Sequence, residues 1–197
     1  MKVVFIGTDT SIITGGNSNS WERQAEYAKH FESLTIIIFS LRSAGLKERR
    51  WKNLVVIPTN SQTRWNFVFD SLKIIQKLGY DLISTQDPFV AGLAGVFAKF
   101  LRHKKLNIQI HNDFFKLKYF RQESLQNYIF YWLGKFNLFF ADSIRIVNKR
   151  LLTDKRCFVA PVAADLEFFW NKPHTKKFGQ IVTVSRLSKQ KNLPLFF

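Results

Sequence analysis

His111 follows the predicted strand from Leu106 to Ile110 and precedes Asn112-Asp113-Phe114-Phe115. An imidazole at the carboxyl tip of a buried strand opens toward a ligand crevice, where it can bond a substrate or move a proton. The same position also suits a structural or solvated histidine. Arg186 and Lys191 follow a second apolar run at 181–185. A guanidinium offers forked hydrogen bonds to phosphate and an ammonium adds a point charge. In so basic a chain, a solvated turn reads the same way. Gly15-Gly16 lies in a Gly-, Ser- and Thr-rich stretch after the first apolar run. There, free N–H groups and the dipole of the next helix favour an anion, and glycine lets the backbone approach it closely. A flexible turn before a helix has the same composition.

Other chemistries lack their residues. G-x-G-x-x-G is absent, as are a Gly-Lys-Ser/Thr phosphate loop and a Gly-x-Ser-x-Gly elbow. His30 and His103 fall at predicted helix ends, where the dipole accounts for them, and His174 falls in a predicted linker. No two histidines have ligand spacing, and Cys157 has no Cys or His nearby, so neither a metal nor a cofactor is expected. A single cysteine forms no internal disulfide and fits a reducing compartment. Cys157 reads as a small buried residue at a strand start.

These residues need elements to hold them. Strands are predicted at 2–7, 34–40, 53–58, 81–86, 106–111, 143–148 and 156–161, with helices at 21–31, 65–78, 89–103 and 123–140. Most strands are runs of Ile, Val, Leu and Phe, as in parallel sheets covered on both faces. The alternation predicts an α/β fold with a doubly wound, mostly parallel Rossmann-like sheet. Asn19, with Glu22 three residues later, can cap the first helix, and Asp87-Pro88 can open the third. A composition shift around Pro173 divides the chain into a domain at 1–170, a linker at 171–179 and the start of a second Rossmann-like domain at 180–197.

Composition narrows the partners. Of 197 residues, 46% are hydrophobic, enough for a substantial core, and the net charge is +16. That excess favours nucleic acid, an anionic membrane face or phosphorylated small molecules without choosing among them. The 21 Phe, with abundant Lys and Asn, fit either an AT-rich genome or a function. Residues 3–6 are too short for a signal peptide, and no apolar stretch reaches the ~18–20 residues that span a bilayer. A cytoplasmic protein is expected. Residues 99–121 hold seven Lys or Arg against Asp113, with Phe114, Phe115, Tyr119 and Phe120 interleaved. This predicts affinity for an anionic surface, such as the inner face of the cell membrane. A solvated basic face with partly buried rings is the alternative.

Six segments in one order resemble the glycosyltransferase family 4, which has the GT-B fold. They are Gly15-Gly16; Asp81-Leu82-Ile83-Ser84-Thr85-Gln86-Asp87-Pro88, similar to D-V-V-H-x-H-x-P; and Ile108-Gln109-Ile110-His111-Asn112-Asp113, similar to V-x-T-x-H-D/G. Ala141-Asp142-Ser143-Ile144-Arg145-Ile146-Val147-Asn148 resembles A-D-x-I-x-x-V-S, and the stretch from Val159 to Phe169 resembles I-P-N-G-V-D-x-x-x-F. The sixth, from Val184 to Leu193, resembles V-G-R-L-x-x-x-K-G/N. Asn148, Val162-Ala163 and Ser185 depart from the family's usual Ser, Asn-Gly and Gly.

The resemblance implies an N-terminal acceptor domain and the first strand of a nucleotide-sugar domain, truncated at its C-terminus. It implies that His111 contacts the transferred sugar, that Arg186 and Lys191 neutralise the donor diphosphate, and that Gly15-Gly16 lines the cleft as an acceptor or phosphate loop. The partners implied are a nucleotide-sugar donor and a glycan or lipid-linked acceptor, with transfer retaining configuration and needing no metal. The family's E-x-x-x-x-x-x-x-E motif would lie past residue 197, so this chain alone is expected to be inactive. Two other readings stay open: a noncatalytic acceptor- or membrane-binding subunit working with a separate donor-domain protein, and a basic nucleic-acid-binding protein. Nucleic acid is the weaker partner, because no helix-turn-helix, zinc-finger or RNP-type motif is present.

Overall fold

Ile36, Ile37 and Ile38 are fully buried and alternate between two separate cores, so their strand is covered on both faces. This is the burial pattern of a parallel sheet between helical layers. The computed structural model describes residues 1–15, 19–116, 118–151, 154–161 and 179. Among these, eight strands form one sheet: β1 (Lys2–Gly7), β2 (Ser33–Ile38), β3 (Arg49–Trp51), β4 (Leu54–Pro58), β5 (Leu82–Thr85), β6 (Lys105–Ile110), β7 (Ser143–Ile146) and β8 (Cys157–Val159). The order is β3-β4-β2-β1-β5-β6-β7-β8, and every pairing is parallel except β3 with β4.

The helices are α1 (Ser11–Thr14), α2 (Asn19–Ala28), α3 (Phe67–Ile75), α4 (Val90–Arg102), α5 (Tyr119–Glu123) and α6 (Leu125–Phe140). Residues of α3, α4 and α6 share one core with Val4, Ile6, Ile83, Ile108 and Ile144. Residues of α1 and α2 share the other with Val3, Leu34, Ile36, Leu54 and Val56. Each fully buried aliphatic side chain contributes about 1.5–3 kcal/mol relative to exposure. Strand order reverses direction at β1, with β2 on one side and β5 on the other. This makes the doubly wound Rossmann-like arrangement, whose crevice opens at the carboxyl ends of β1 and β5.

The α/β sheet is as expected, and the strands and long helices expected within the described residues are present, with ends displaced by at most three residues. Four features differ from expectation, the first being the five-residue helix α5, which precedes the helix expected from 123. Strand β3 carries Arg49-Arg50-Trp51, exposed throughout, so it has no apolar signature; the turn at Lys52, with φ of 50°, pairs it to β4 as a charged edge. The one-turn helix α1 also has no amphipathic length to announce it. The helix expected at 123–140 begins at Leu125, because extended Ser124 caps it by accepting a hydrogen bond from the Asn127 N–H at 3.1 Å. Asp87 opens α4 as expected, its carboxylate accepting from the Phe89 N–H at 2.8 Å. Met1–Pro161 forms one compact unit. The expected linker and second domain lie outside the described residues, Gly179 excepted.

Candidate functional site at the carboxyl edge of the sheet

Gly7 ends β1 at the floor of the crevice. A Cβ there would fall on the Gln86 side chain, 2.5 Å from its Cδ, so the Gln86 amide lies directly across the end of β1. The adjacent backbone is fixed by the Phe39 N–H donating to Gly7 O at 2.9 Å and the Gln86 N–H donating to Ile6 O at 2.8 Å. Beyond Gly7, Asp9 Oδ1 accepts from the Ser11 N–H at 3.0 Å and hydroxyl at 2.6 Å, which starts α1. Arg49 reaches over from β3, its guanidinium 3.6 Å from the centroid of Trp21 on α2 and 3.5 Å from Ile12 O. Gly15 ends α1 in an extended conformation, its N–H donating to Ser11 O at 2.9 Å. Gly16, the other half of the expected glycine pair, lies outside the described residues.

His111 follows β6 at the same edge and is half-buried. Burial, and then the positive charges of Arg145 and Arg23, hold its imidazole below the ordinary histidine range. At neutral pH the ring is therefore neutral and able to accept a hydrogen bond. The loop that carries it is anchored by aromatic packing. Phe114 meets Phe89, at the start of α4, and Phe120 of α5, both at 4.9 Å between centroids, while Phe115 meets Tyr131 of α6 at 5.9 Å. Tyr119 Oη donates to Asp113 O at 3.0 Å. The rings that follow His111 are half-buried and fix the loop, the role expected of core aromatics.

Arg145 reaches this site through a polar ladder on one face of the sheet. Ser84, Asn107 and Ser143 stand side by side on β5, β6 and β7, as do Gln109 and Arg145 two residues further on. Arg145 Nη1 donates to Gln109 Oε1 at 2.8 Å, Gln109 Nε2 to Ser84 Oγ at 2.9 Å, and Ser84 Oγ to Asn107 Oδ1 at 3.0 Å. Asn107 Nδ2 donates to Ser143 Oγ at 2.9 Å. On its other side, Arg145 Nε donates to Ala160 O at 3.1 Å. Its described partners are thus carbonyl and amide oxygens. None of these described partners is a carboxylate, and together they orient the guanidinium. Arg23 adds a second cation from α2. Buried amide and hydroxyl groups that satisfy one another hold such a charge rigidly.

The sheet therefore brings together His111 and the Gly15 loop's strand, and adds Gln86, Gln109, Arg145 and Arg23, which reading the motifs did not single out. Arg145 sits at a variable position of the segment resembling A-D-x-I-x-x-V-S. Asp142 of that segment and Asp81 of the D-V-V-H-like one prove structural. Asp142 accepts from the Leu106 N–H at 2.8 Å and pairs with Lys99 at 2.9 Å, and Asp81 accepts from the Lys2 N–H at 2.7 Å. Both lie at the opposite edge of the sheet. Arg186 and Lys191 lie outside the described residues. Among the described residues, no three of His, Cys, Asp and Glu gather as metal ligands would. Cys157 is half-buried at the start of β8, its thiol pushed up by burial.

No protein-family model matches the chain, and no curated protein matches its sequence. Solved structures do resemble it. UDP-GlcNAc 2-epimerase from Methanocaldococcus jannaschii is similar with a TM-score of 0.51 and 13% identity, over 81% of this chain and 45% of that one. Another UDP-N-acetylglucosamine 2-epimerase is similar with a TM-score of 0.51 and 13% identity, over 81% of this chain and 47% of its own. This chain thus spans less than half the length of either structure. The likeness is one of fold: an α/β, GT-B-like Rossmann domain.

Proposed function

We propose that this chain is the acceptor-side domain of a glycosyltransferase similar to family 4, acting in an enzyme that moves a sugar from a nucleotide sugar to a glycan or lipid-linked acceptor. The observation that carries the reading is that His111 and Arg145 belong to the paired strands β6 and β7 at the carboxyl edge, with Arg145 held, among the described residues, by oxygens other than carboxylates. Glycosyl transfer leaves negative charge on the departing phosphate, and preorganised cations stabilise that charge as it develops. In this reading His111 accepts a hydrogen bond from a sugar hydroxyl, and Arg145 and Arg23 set the positive potential that draws the anionic donor. Arg186 and Lys191 would receive the diphosphate, and Gly15-Gly16 would line the cleft. The order of six family-like segments supports the transferase over other sugar-nucleotide enzymes. The GT-B-like fold, shared with proteins named as UDP-GlcNAc 2-epimerases, supports a nucleotide-sugar substrate.

The test is to incubate the purified chain with a panel of labelled nucleotide sugars and with glycan or lipid-linked acceptors, with and without a donor-domain protein. The chain alone is expected to form no product, because one domain cannot fix both substrates in reactive geometry. With a donor domain supplied, transfer is expected, and His111→Ala should lower kcat roughly 100-fold while KM changes little. Product from the chain alone would overturn the half-enzyme reading. Rearranged nucleotide sugar in the absence of acceptor would replace transfer with epimerisation.

A further inference from the structure

Helix α6 holds sixteen residues with one charge, Lys135, and no acid. Its inner face is accounted for: Tyr131, Gly134, Asn137 and Leu138 are buried against the rest of the domain. Its outer face is also apolar. Leu125, Tyr128, Ile129, Trp132, Phe136 and Phe139 recur at intervals of three, one, three, four and three residues, which places them in one stripe. All six are exposed, from about half for Trp132 to 76% for Leu125 and 75% for Phe139. The stripe runs the length of the helix, ~24 Å at 1.5 Å per residue. At its C-terminal end it joins α4: Phe140 contacts Phe136 at 5.0 Å, Phe139 at 5.1 Å and Phe100 of α4 at 5.3 Å. Phe97, Phe100 and Leu101 continue the exposed apolar surface there. Scattered exposed apolar residues are ordinary on a domain, whereas a continuous stripe of this length marks an interaction surface.

We infer that the outer face of α6, extended by α4, lies flat on an anionic phospholipid bilayer and inserts its apolar side chains into the headgroup boundary. Charge chooses the occupant. Residues 97–142 carry eight Lys or Arg against three acids, Asp113, Glu123 and Asp142, the last paired with Lys99 and Lys105. Lys135 borders the stripe, with its ammonium 5.2 Å from the Tyr131 ring centroid, and Arg121 stands over the same ring at 5.5 Å. Lys104 and Lys105 follow α4 at the end where Phe100 meets Phe140. A second copy of this chain would bring like charge against like, at +16 each. An anionic leaflet meets both requirements, since it attracts the flanking cations and solvates the apolar stripe, with Trp and Tyr suited to the boundary. No helix among the described residues is long and apolar enough to cross a membrane, so this contact is one of lying on the surface. The apolar contribution comes from α6. Phe114, Phe115 and Phe120, near the basic run expected to bind, are instead half-buried and packed against one another and against Phe89 and Tyr131.

The inference stands apart from the proposed reaction, and its test involves no sugar. The purified chain is sedimented with phosphatidylcholine vesicles and with equimolar phosphatidylcholine–phosphatidylglycerol vesicles, at low and high salt. The expected result is binding to the anionic vesicles, weakened by salt, and a loss of about tenfold or more in partitioning for Trp132→Glu/Phe136→Glu. Lys118→Glu/Arg121→Glu should weaken binding to anionic vesicles alone. Circular dichroism should show that the first double variant still folds and unfolds cooperatively, because both side chains are about half exposed on the outer face. Failure of that variant to fold would mean that the protein itself covers this face, and would overturn the inference. Equal binding by wild type and variant would overturn it as well. So would a dimer in analytical ultracentrifugation that the double variant dissolves, since the occupant would then be a second copy.

Discussion

His111 shows how a local environment sets a side chain's chemistry. Burial and two guanidiniums hold its folded-state pKa below the ordinary value of 6.5. As pH falls, the unfolded chain therefore takes up this proton before the folded one does. The stability His111 supports is fully present above the ordinary histidine pKa and is lost as pH falls through the folded value. Urea unfolding across pH about 7.5 to 5.5 should show stability declining, with a shallower decline in His111→Gln. Arg145→Gln should also reduce the decline, by removing one of the two charges. His30, His103 and His174 are common to wild type and variants, so the difference reports His111. An unchanged slope in His111→Gln would mean that the ring lies in ordinary solvent. Its position was legible in sequence because it ends a predicted strand. The nearby charge of Arg145 was not, because Arg145 is distant in the chain and only the parallel pairing of β6 with β7 sets it beside Gln109.

At the scale of elements, the placement of α6 depends on Asn137, fully buried on its inner face. Its Nδ2 donates to Pro88 O and Phe89 O, both at 2.8 Å, and so ties α6 to the start of α4 and to the Phe89 ring that braces the His111 loop. Asn137→Ala takes this donor from the buried Pro88 carbonyl, while Phe89 O keeps the Leu93 N–H at 2.9 Å, and should destabilise the domain by about 1–2 kcal/mol, measured by denaturant midpoint at unchanged m. A loss below about 0.5 kcal/mol, the range of ordinary surface changes, would show that the tie is dispensable. The sequence announced both helices by their apolar periodicity, yet an asparagine among Phe and Leu does not declare which carbonyls it serves. Strand β6 illustrates the converse. Its alternation of Leu106, Ile108 and Ile110 with Asn107 and Gln109 is written in the sequence as one apolar and one polar face. Reading it as a continuous buried run hid the polar ladder. Strand β3 was beyond reach, because three exposed residues held by a turn at Lys52 have no pattern to read.

For the whole molecule, the strand order was within reach of the alternation of elements, and the GT-B-like fold agrees with it. What the chain does depends on whether the carboxyl edge of β6 and β7 receives an anionic sugar nucleotide. The most direct measurement is the titration of the His111 imidazole by NMR, alone and with saturating UDP or inorganic pyrophosphate. A bound diphosphate places negative charge near the ring, favours the imidazolium and raises its pKa. The account predicts that ligand-free His111 titrates below the ordinary histidine value, moves upward when diphosphate binds, and ceases to respond in Arg145→Gln. A His111 that titrates at or above the ordinary value and does not move at saturating diphosphate would contradict it.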